Sequence, residues 1–300
     1  MSDVPIHFIG FLVNVDNSIL KLKLSDGFVI EKLSQEKIRP FLNVIDSHYS
    51  AHDTREVLGY CIIKQHVSDF QATEQGGVVI KWGESERIHH YMGDKLRLLR
   101  LFKEGNIFMP FSLLYHIKEE TPQIFNVMRE WPLIDRTIFR LTDDEISQAE
   151  LFIEKTRIPF SQQFLQLAFD AFELSYETHN HGMAFLSLMI SLEAMFNRGG
   201  NEIRYSISRN TAVLLGESRK ESEQIFEEIK KCYGKRSKLV HEGDPTEIKS
   251  EDILKLRDYV RKAIKEINYT GCSKEDLRQV LNESGFGCRP LRKAEGNNYF

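Results

Sequence analysis

From Pro5 to about Trp82, apolar and polar positions alternate with a period of two, as in strands that bury one face. The runs FIGFLVNV at 8–15, SILKLKL at 18–24 and GFVIEKL at 27–33 are separated by Asp16-Asn17 and Asp26-Gly27, turn pairs that predict consecutive hairpins. GYCIIKQHV at 59–67 and GGVVIKW at 76–82 predict two more strands, and 34–49 a short helix. The long apolar run 95–117 fits either strand or helix, because such a run carries no deciding period. Residues 1–140 are therefore expected to form a mixed, mainly β domain.

At Leu141 the period becomes helical. Thr142 can cap a helix whose first turn holds Asp143, Asp144 and Glu145, the acidic bias of a helix N-terminus. Residues 160–178 and 181–200 each place apolar side chains three and four apart, predicting an antiparallel helix pair closed by Gly199-Gly200. A third helix is expected from Glu202 to a stop at Gly216, and a fourth from Ser218 to a stop at Gly243. Asp244-Pro245 then forbids continuation. Ser250 is expected to cap a helix over 251–267, and Ser273 a short last one. The stripe Phe164, Leu167, Phe185, Leu188, Leu192 and Phe196 has the spacing of bundle core. The fold class expected is α+β, an N-terminal mainly β domain (1–140, sensing or binding) followed by an all-α domain (141–300).

Composition narrows the partners. With 40 Lys and Arg against 44 Asp and Glu the formal charge is -4, so no global positive field draws in nucleic acid, and any RNA contact must be local. Four widely spaced cysteines, Cys61, Cys232, Cys272 and Cys288, form no CxxC pair and read as reduced thiols. The first residues have no basic n-region, and Asn14 and Asp16 cut their apolar run, so no membrane partner and a cytoplasmic address are expected.

The sequence holds no P-loop, dinucleotide-binding glycine motif, HExxH, GxSxG or zinc-ligand cysteine pair. His89-His90 and His179-Asn180-His181 lack acidic or thiol partners at ligand spacing; they read as exposed loop or helix-cap histidines, and no metal is expected.

What remains is the string Tyr233-Gly234-Lys235-Arg236-Ser237-Lys238-Leu239-Val240-His241-Glu242-Gly243, an arginine followed by a histidine near a predicted helix end. It comes after Ser191-Leu192-Glu193-Ala194-Met195-Phe196 and Tyr205-Ser206-Ile207-Ser208-Arg209-Asn210-Thr211-Ala212. Together these segments, over about residues 160–270, resemble the HEPN superfamily and, more narrowly, the Apea-like HEPN family.

The resemblance implies a helical HEPN-type bundle that pairs as a homodimer and cuts RNA with no metal or other cofactor. A guanidinium can hold two phosphate oxygens, and an imidazole titrates near neutral pH and moves protons. RNA carries its own nucleophile, the 2′-hydroxyl, so an enzyme need only deprotonate it, protonate the leaving 5′-oxygen and stabilise charge on phosphorus. In that reading Arg236 and His241 are catalytic, while Ser237, Lys238 and Lys235 contact RNA. Five residues along a straight helix turn Arg236 and His241 about 140° apart, so one copy makes a poor site and a two-fold pair is needed.

Glu193, inside an apolar helix, is expected to meet Arg204, Arg209 or Arg236 in a structural ion pair near the site. The basic patch of Lys230, Lys231, Lys235, Arg236 and Lys238 is equally a solvated face balanced by Glu227 and Glu228. The resemblance points to a setting in bacterial defence or a toxin system, with a protein or phage component as partner of the N-terminal domain. The alternatives are a non-catalytic HEPN dimerisation and RNA- or protein-binding scaffold, or a regulator acting through protein partners alone.

Overall fold

The computed structural model describes residues 3–48, 59–71, 84–130, 136–178, 180–197 and 202–291. The described residues divide into two compact units, one up to Thr156 and one from Arg157 onward. The fold is mixed α+β: strands occur only in the first unit among the described residues, and the second is built of helices.

In the first unit the alternating run at 8–15 becomes the long central strand β1 (Asp3–Val13), flanked by β3 (Tyr60–Gln71) and β4 (Phe108–Lys118). With β2 (Val29–Lys32) and β5 (Thr121–Arg129) they form one antiparallel sheet in the order β2-β3-β1-β4-β5. Ile9 and Phe11 of β1 and Phe111 and Leu113 of β4 pack against Ile38, Phe41 and Ile45 of α1 (Gln35–His48). Ser112 points the other way, because neighbouring strand residues face opposite sides, and meets α2 (Glu84–Phe102) there. Helices thus cover both faces of the sheet.

Three expectations for this unit change. Residues 18–24 do not form a strand: Asn17–Lys21 is a 3-10 helix, because the Asp16 carboxylate accepts from the Ser18 N–H and hydroxyl, and Ile19 and Leu22, three apart, are buried. The ambiguous run 95–117 splits into the end of α2 and most of β4. A mainly β domain is also too strong a description, since α3 (Asp143–Lys155), whose expected cap Thr142 donates its N–H and hydroxyl to Glu145, belongs to this unit. The strand expected at 76–82 and the stop at Gly199-Gly200 lie outside the described residues.

The second unit holds α4 (Gln163–Glu177), α5 (His181–Phe196), α6 (Ile203–Leu215), α7 (Arg219–Glu242), α8 (Ser250–Thr270) and α9 (Lys274–Glu283). Ser218 and Ser273 cap α7 and α9 as their sequence positions require, whereas Lys249 takes the position expected of Ser250. Gly243 ends α7 at a φ of 70°, a left-handed turn that favours glycine, and its N–H reaches back 3.0 Å to the Leu239 carbonyl.

The core is α4 against α5, with α8 across both. Phe169, Phe172, Phe185, Leu188, Leu192 and Phe196 are sealed inside. Leu167, expected in that core, is 55% exposed: its position on α4 turns away from α5. Two arginines of α8 enter the interior and are satisfied there. Arg257 donates to the Ser175 hydroxyl and carbonyl and lies 4.0 Å over the Tyr176 ring, and Arg261 donates to the Tyr176 hydroxyl at 3.0 Å. Buried charge is tolerable on these terms, with planar donors matched to oxygens and a ring face.

Candidate functional site

The segment from Tyr233 to Glu242 is one continuous stretch of α7, with no unwinding between Arg236 and His241. Those two side chains therefore leave the helix about 140° apart, and a single chain does not bring them together. In the first half of α7 Ile225 and Ile229 pack into the bundle, but no residue from 230 to 242 is buried. This half of the helix is only partly covered, with Arg236 half-buried and His241 exposed.

Arg236 is held from one side only. Its Nε lies 3.4 Å from Glu193 Oε1, and its guanidinium carbon sits 5.7 Å over the Tyr233 ring. Glu193 Oε1 is enclosed and takes no hydrogen bond, so the contact is one of charge and distance without hydrogen-bond alignment. Neither Nη nitrogen has a hydrogen-bond partner among the described residues, and neither is shut off from solvent. The Nη donors of the half-buried guanidinium are thus unspent among the described residues.

His241, in the last turn of α7, is exposed and makes no hydrogen bond or ion pair among the described residues. Ser237 is half-buried and likewise unpartnered. The neighbouring lysines are engaged. Lys235 donates to Asp252 at 2.7 Å, and Lys238 to Glu247 at 2.7 Å with Asp244 at 3.4 Å. Burial acts to raise the Asp252 carboxyl, but the Lys235 ammonium and the Lys249 N–H outweigh it and hold it below the usual carboxylate range. The hydrogen bond to Glu247, with its charge, pushes Lys238 up. Lys230 lies 3.3 Å from Glu227, and Glu228 pairs with Lys255 at 2.9 Å and accepts from Tyr259. Three cations of the basic patch, Lys230, Lys235 and Lys238, are thus balanced by acids; Arg236 meets Glu193 through Nε alone, and Lys231 is exposed with no partner among the described residues.

Glu193 meets Arg236, one of its three expected partners. Arg209 takes no part in that pair: it donates to the carbonyls of Leu281 and Ser284, both at 2.7 Å, and so ties α6 to the end of α9. The acids Asp244, Glu247 and Asp252, which restrain Lys238 and Lys235, were not singled out as site residues in the sequence. Their signal was there, as an acidic run directly after a basic helix end.

Beside the arginine runs an apolar strip. Met183, Leu186, Ile190 and Ala194 follow one another at helical spacing on the outer side of α5; Met183 is 53% and Ile190 46% exposed, and Val240 of α7 is 49% exposed. Gly182 brings the start of α5 against Leu239, where a Cβ would meet its methyl at 3.4 Å. Met183, Ile190 and Val240 are thus apolar side chains left open to solvent beside charged neighbours.

The other histidine groups divide differently than expected. His89 is not an exposed loop residue: it is 2% exposed within α2, with Nδ1 2.6 Å from the Ser112 hydroxyl and Nε2 3.0 Å from Glu130. His90 and His181 are exposed, and His179 lies outside the described residues. Among the described residues no three of His, Cys, Asp and Glu converge as metal ligands, no helix is long and apolar enough to cross a membrane, and all four cysteines are free thiols. No family model, no curated protein and no solved structure matches this chain.

Proposed function

We propose that the second unit is a metal-independent endoribonuclease of HEPN type, which acts as a homodimer and cleaves RNA by attack of the 2′-hydroxyl on the adjacent phosphate. The observation that carries this reading is the Arg236 fork, anchored through its Nε side by Glu193 while both Nη nitrogens remain open to a phosphate. His241 has no competing partner among the described residues and is available for proton transfer. The 140° between the two is a defect in one chain. A two-fold axis beside α7 corrects it by setting the arginine of one copy near the histidine of the other. The strip of Met183, Ile190 and Val240 is the apolar surface such a pairing would cover.

In the step itself, His241 or its symmetry mate takes the 2′-hydroxyl proton or gives one to the leaving 5′-oxygen. Arg236 neutralises charge gathering on the phosphoryl oxygens. Lys235, Lys238 and Ser237 are assigned to steering and polar contact, the lysines less strongly because acids hold them. The setting proposed is a cytoplasmic defence or toxin system, with the first unit recognising a protein or phage component.

One observation favours a second reading, a non-catalytic HEPN scaffold that dimerises and binds RNA or protein: Arg236 already has a carboxylate neighbour. The test that separates them is incubation of mixed RNA, in chelator, with the purified chain and its Arg236→Ala and His241→Ala variants, with folding followed by thermal melting. The ribonuclease reading requires cleavage by the parent chain and its loss in both folded variants. Cleavage that survives both substitutions, or none by the parent, removes it.

A further inference from the structure

A cleft of about 500 Å³ opens between the start of α6 and the middle of α7, lined by Glu202, Arg204, Tyr205, Phe226 and Lys230. Its floor is aromatic. The Tyr205 ring meets Phe226 edge-on at 5.7 Å, and Phe226 is backed by Phe286 at 6.0 Å. Tyr205 is 53% exposed, and its hydroxyl has no partner among the described residues. Its rim carries two cations, Arg204 and Lys230, beside the acid Glu202. Lys230, which also meets Glu227 at 3.3 Å, stands 5.4 Å over the Phe226 ring, and Arg204 makes no ion pair among the described residues. An exposed aromatic face beside two cations is costly to leave in water and complementary to a flat, negatively charged ligand.

The cleft is also in line with the proposed cleavage site. Phe226 and Tyr233 are seven residues apart on α7, which sets them within about 20° of one face and about 10 Å apart along it. Lys230 lies between them, and Tyr233 carries the Arg236 guanidinium on its ring. Aromatic and cationic side chains thus alternate along one side of a continuous helix, as in surfaces that stack successive bases and track a backbone.

We infer that this cleft is a subsite for an unpaired nucleotide of single-stranded RNA, next to the phosphate held by Arg236. The base stacks on Tyr205, the adjoining phosphate falls between Arg204 and Lys230, and Glu202 accepts a hydrogen bond from an amino group on the base edge. A duplex keeps its bases stacked on one another and offers none to Tyr205, so the substrate class is single-stranded. The inference rests on the ribonuclease reading of Arg236 and His241, but it concerns binding and can be tested apart from cleavage.

The experiment measures binding of a fluorescently labelled single-stranded RNA oligonucleotide by anisotropy, in chelator, to the full chain carrying His241→Ala so that the RNA stays whole. Adding Tyr205→Ala should raise Kd roughly tenfold or more, the usual worth of a base–aromatic stack. Tyr205→Phe should restore affinity, and the double change Arg204→Gln with Lys230→Gln should weaken binding and flatten its salt dependence. A matched duplex should bind more weakly and respond to neither tyrosine variant. If single-stranded RNA binds, weakens with Arg236→Ala, and is indifferent to Tyr205→Ala and to the paired glutamines, the subsite is wrong and the ribonuclease reading stands. If no variant binds RNA at all, both fall.

Discussion

Whether Arg236 serves a phosphate or merely neutralises Glu193 is decided by what its loss costs. At 3.4 Å with an effective dielectric of about 20, the pair attracts by about 5 kcal/mol. Withdrawing two ions from water costs several kcal/mol each, less here because the side chains keep 26% and 21% of their exposure. Without hydrogen-bond alignment the terms nearly cancel, leaving a coupling of about 1 kcal/mol, as for other partly exposed pairs. The contact with Tyr233 adds about 0.5 kcal/mol. Arg236→Ala should therefore lower the unfolding free energy by about 1.5 kcal/mol and the melting temperature by a few degrees.

The loss in RNA cleavage should be far larger, about 1000-fold, because a fixed guanidinium on a phosphoryl group acts mainly in the transition state. Urea unfolding followed by circular dichroism, run as a double-mutant cycle with Glu193→Gln, gives the coupling directly. A destabilisation of 3–5 kcal/mol, on the order of that for an orphaned buried charge, relieved by Glu193→Gln and with cleavage following the folded fraction, would refute the argument. Arg236 would then be a packing residue.

Four further outcomes are expected. His241→Ala should leave the melting temperature within about 1 °C, since an exposed side chain without partners among the described residues contributes little, and should abolish cleavage; a clear drop in stability would mean the histidine is structural. Ile190→Glu should shift sedimentation at micromolar concentration from dimer to monomer, and a chain that stays paired would place the interface elsewhere. Partial burial and the neighbouring Arg261 bring Lys265 down to about 8 from 10.5, so below pH 8 its half-buried ammonium costs stability, and between about pH 8 and 10.5 the native state sheds that proton first and stability rises with pH. Lys265→Met should gain up to about 3 kcal/mol at pH 7 and lose that rise, whereas an unchanged urea midpoint would show the ammonium to be well solvated. Arg257→Ala, which strips the Ser175 carbonyl and the Tyr176 ring of their buried cation, should cost about 3 kcal/mol by the same urea titration, and a loss under 1 kcal/mol would mean water replaces it freely.

Helix ends were readable because they are settled within four residues. Thr142 with Glu145, Ser218, Ser273, Gly216 and Gly243 lie where the sequence sets them, each a hydrogen bond or a left-handed turn closed locally. Strand identity was less so. β5 was never expected, because its two-residue turn is Glu119-Glu120, both at positive φ, a pair with no turn signature. Residues 18–24 alternate well enough to imitate a strand, and the Asp16 side chain overrides the pattern.

The site divides in the same way. Sequence by itself determined that Arg236 and His241 lie on one helix near its end, that they diverge by about 140°, and that Glu193 would require a cation, for these follow from helical period and the cost of burying a lone charge. Only the tertiary structure decided that the cation is Arg236 while Arg209 serves the carbonyls of α9, that Leu167 faces water and His89 does not, and that Tyr205 and Phe226 open a cleft in line with the motif. Each of these depends on which helix crosses which, and such crossings are fixed by side chains far apart in the chain, whose meeting no local pattern records.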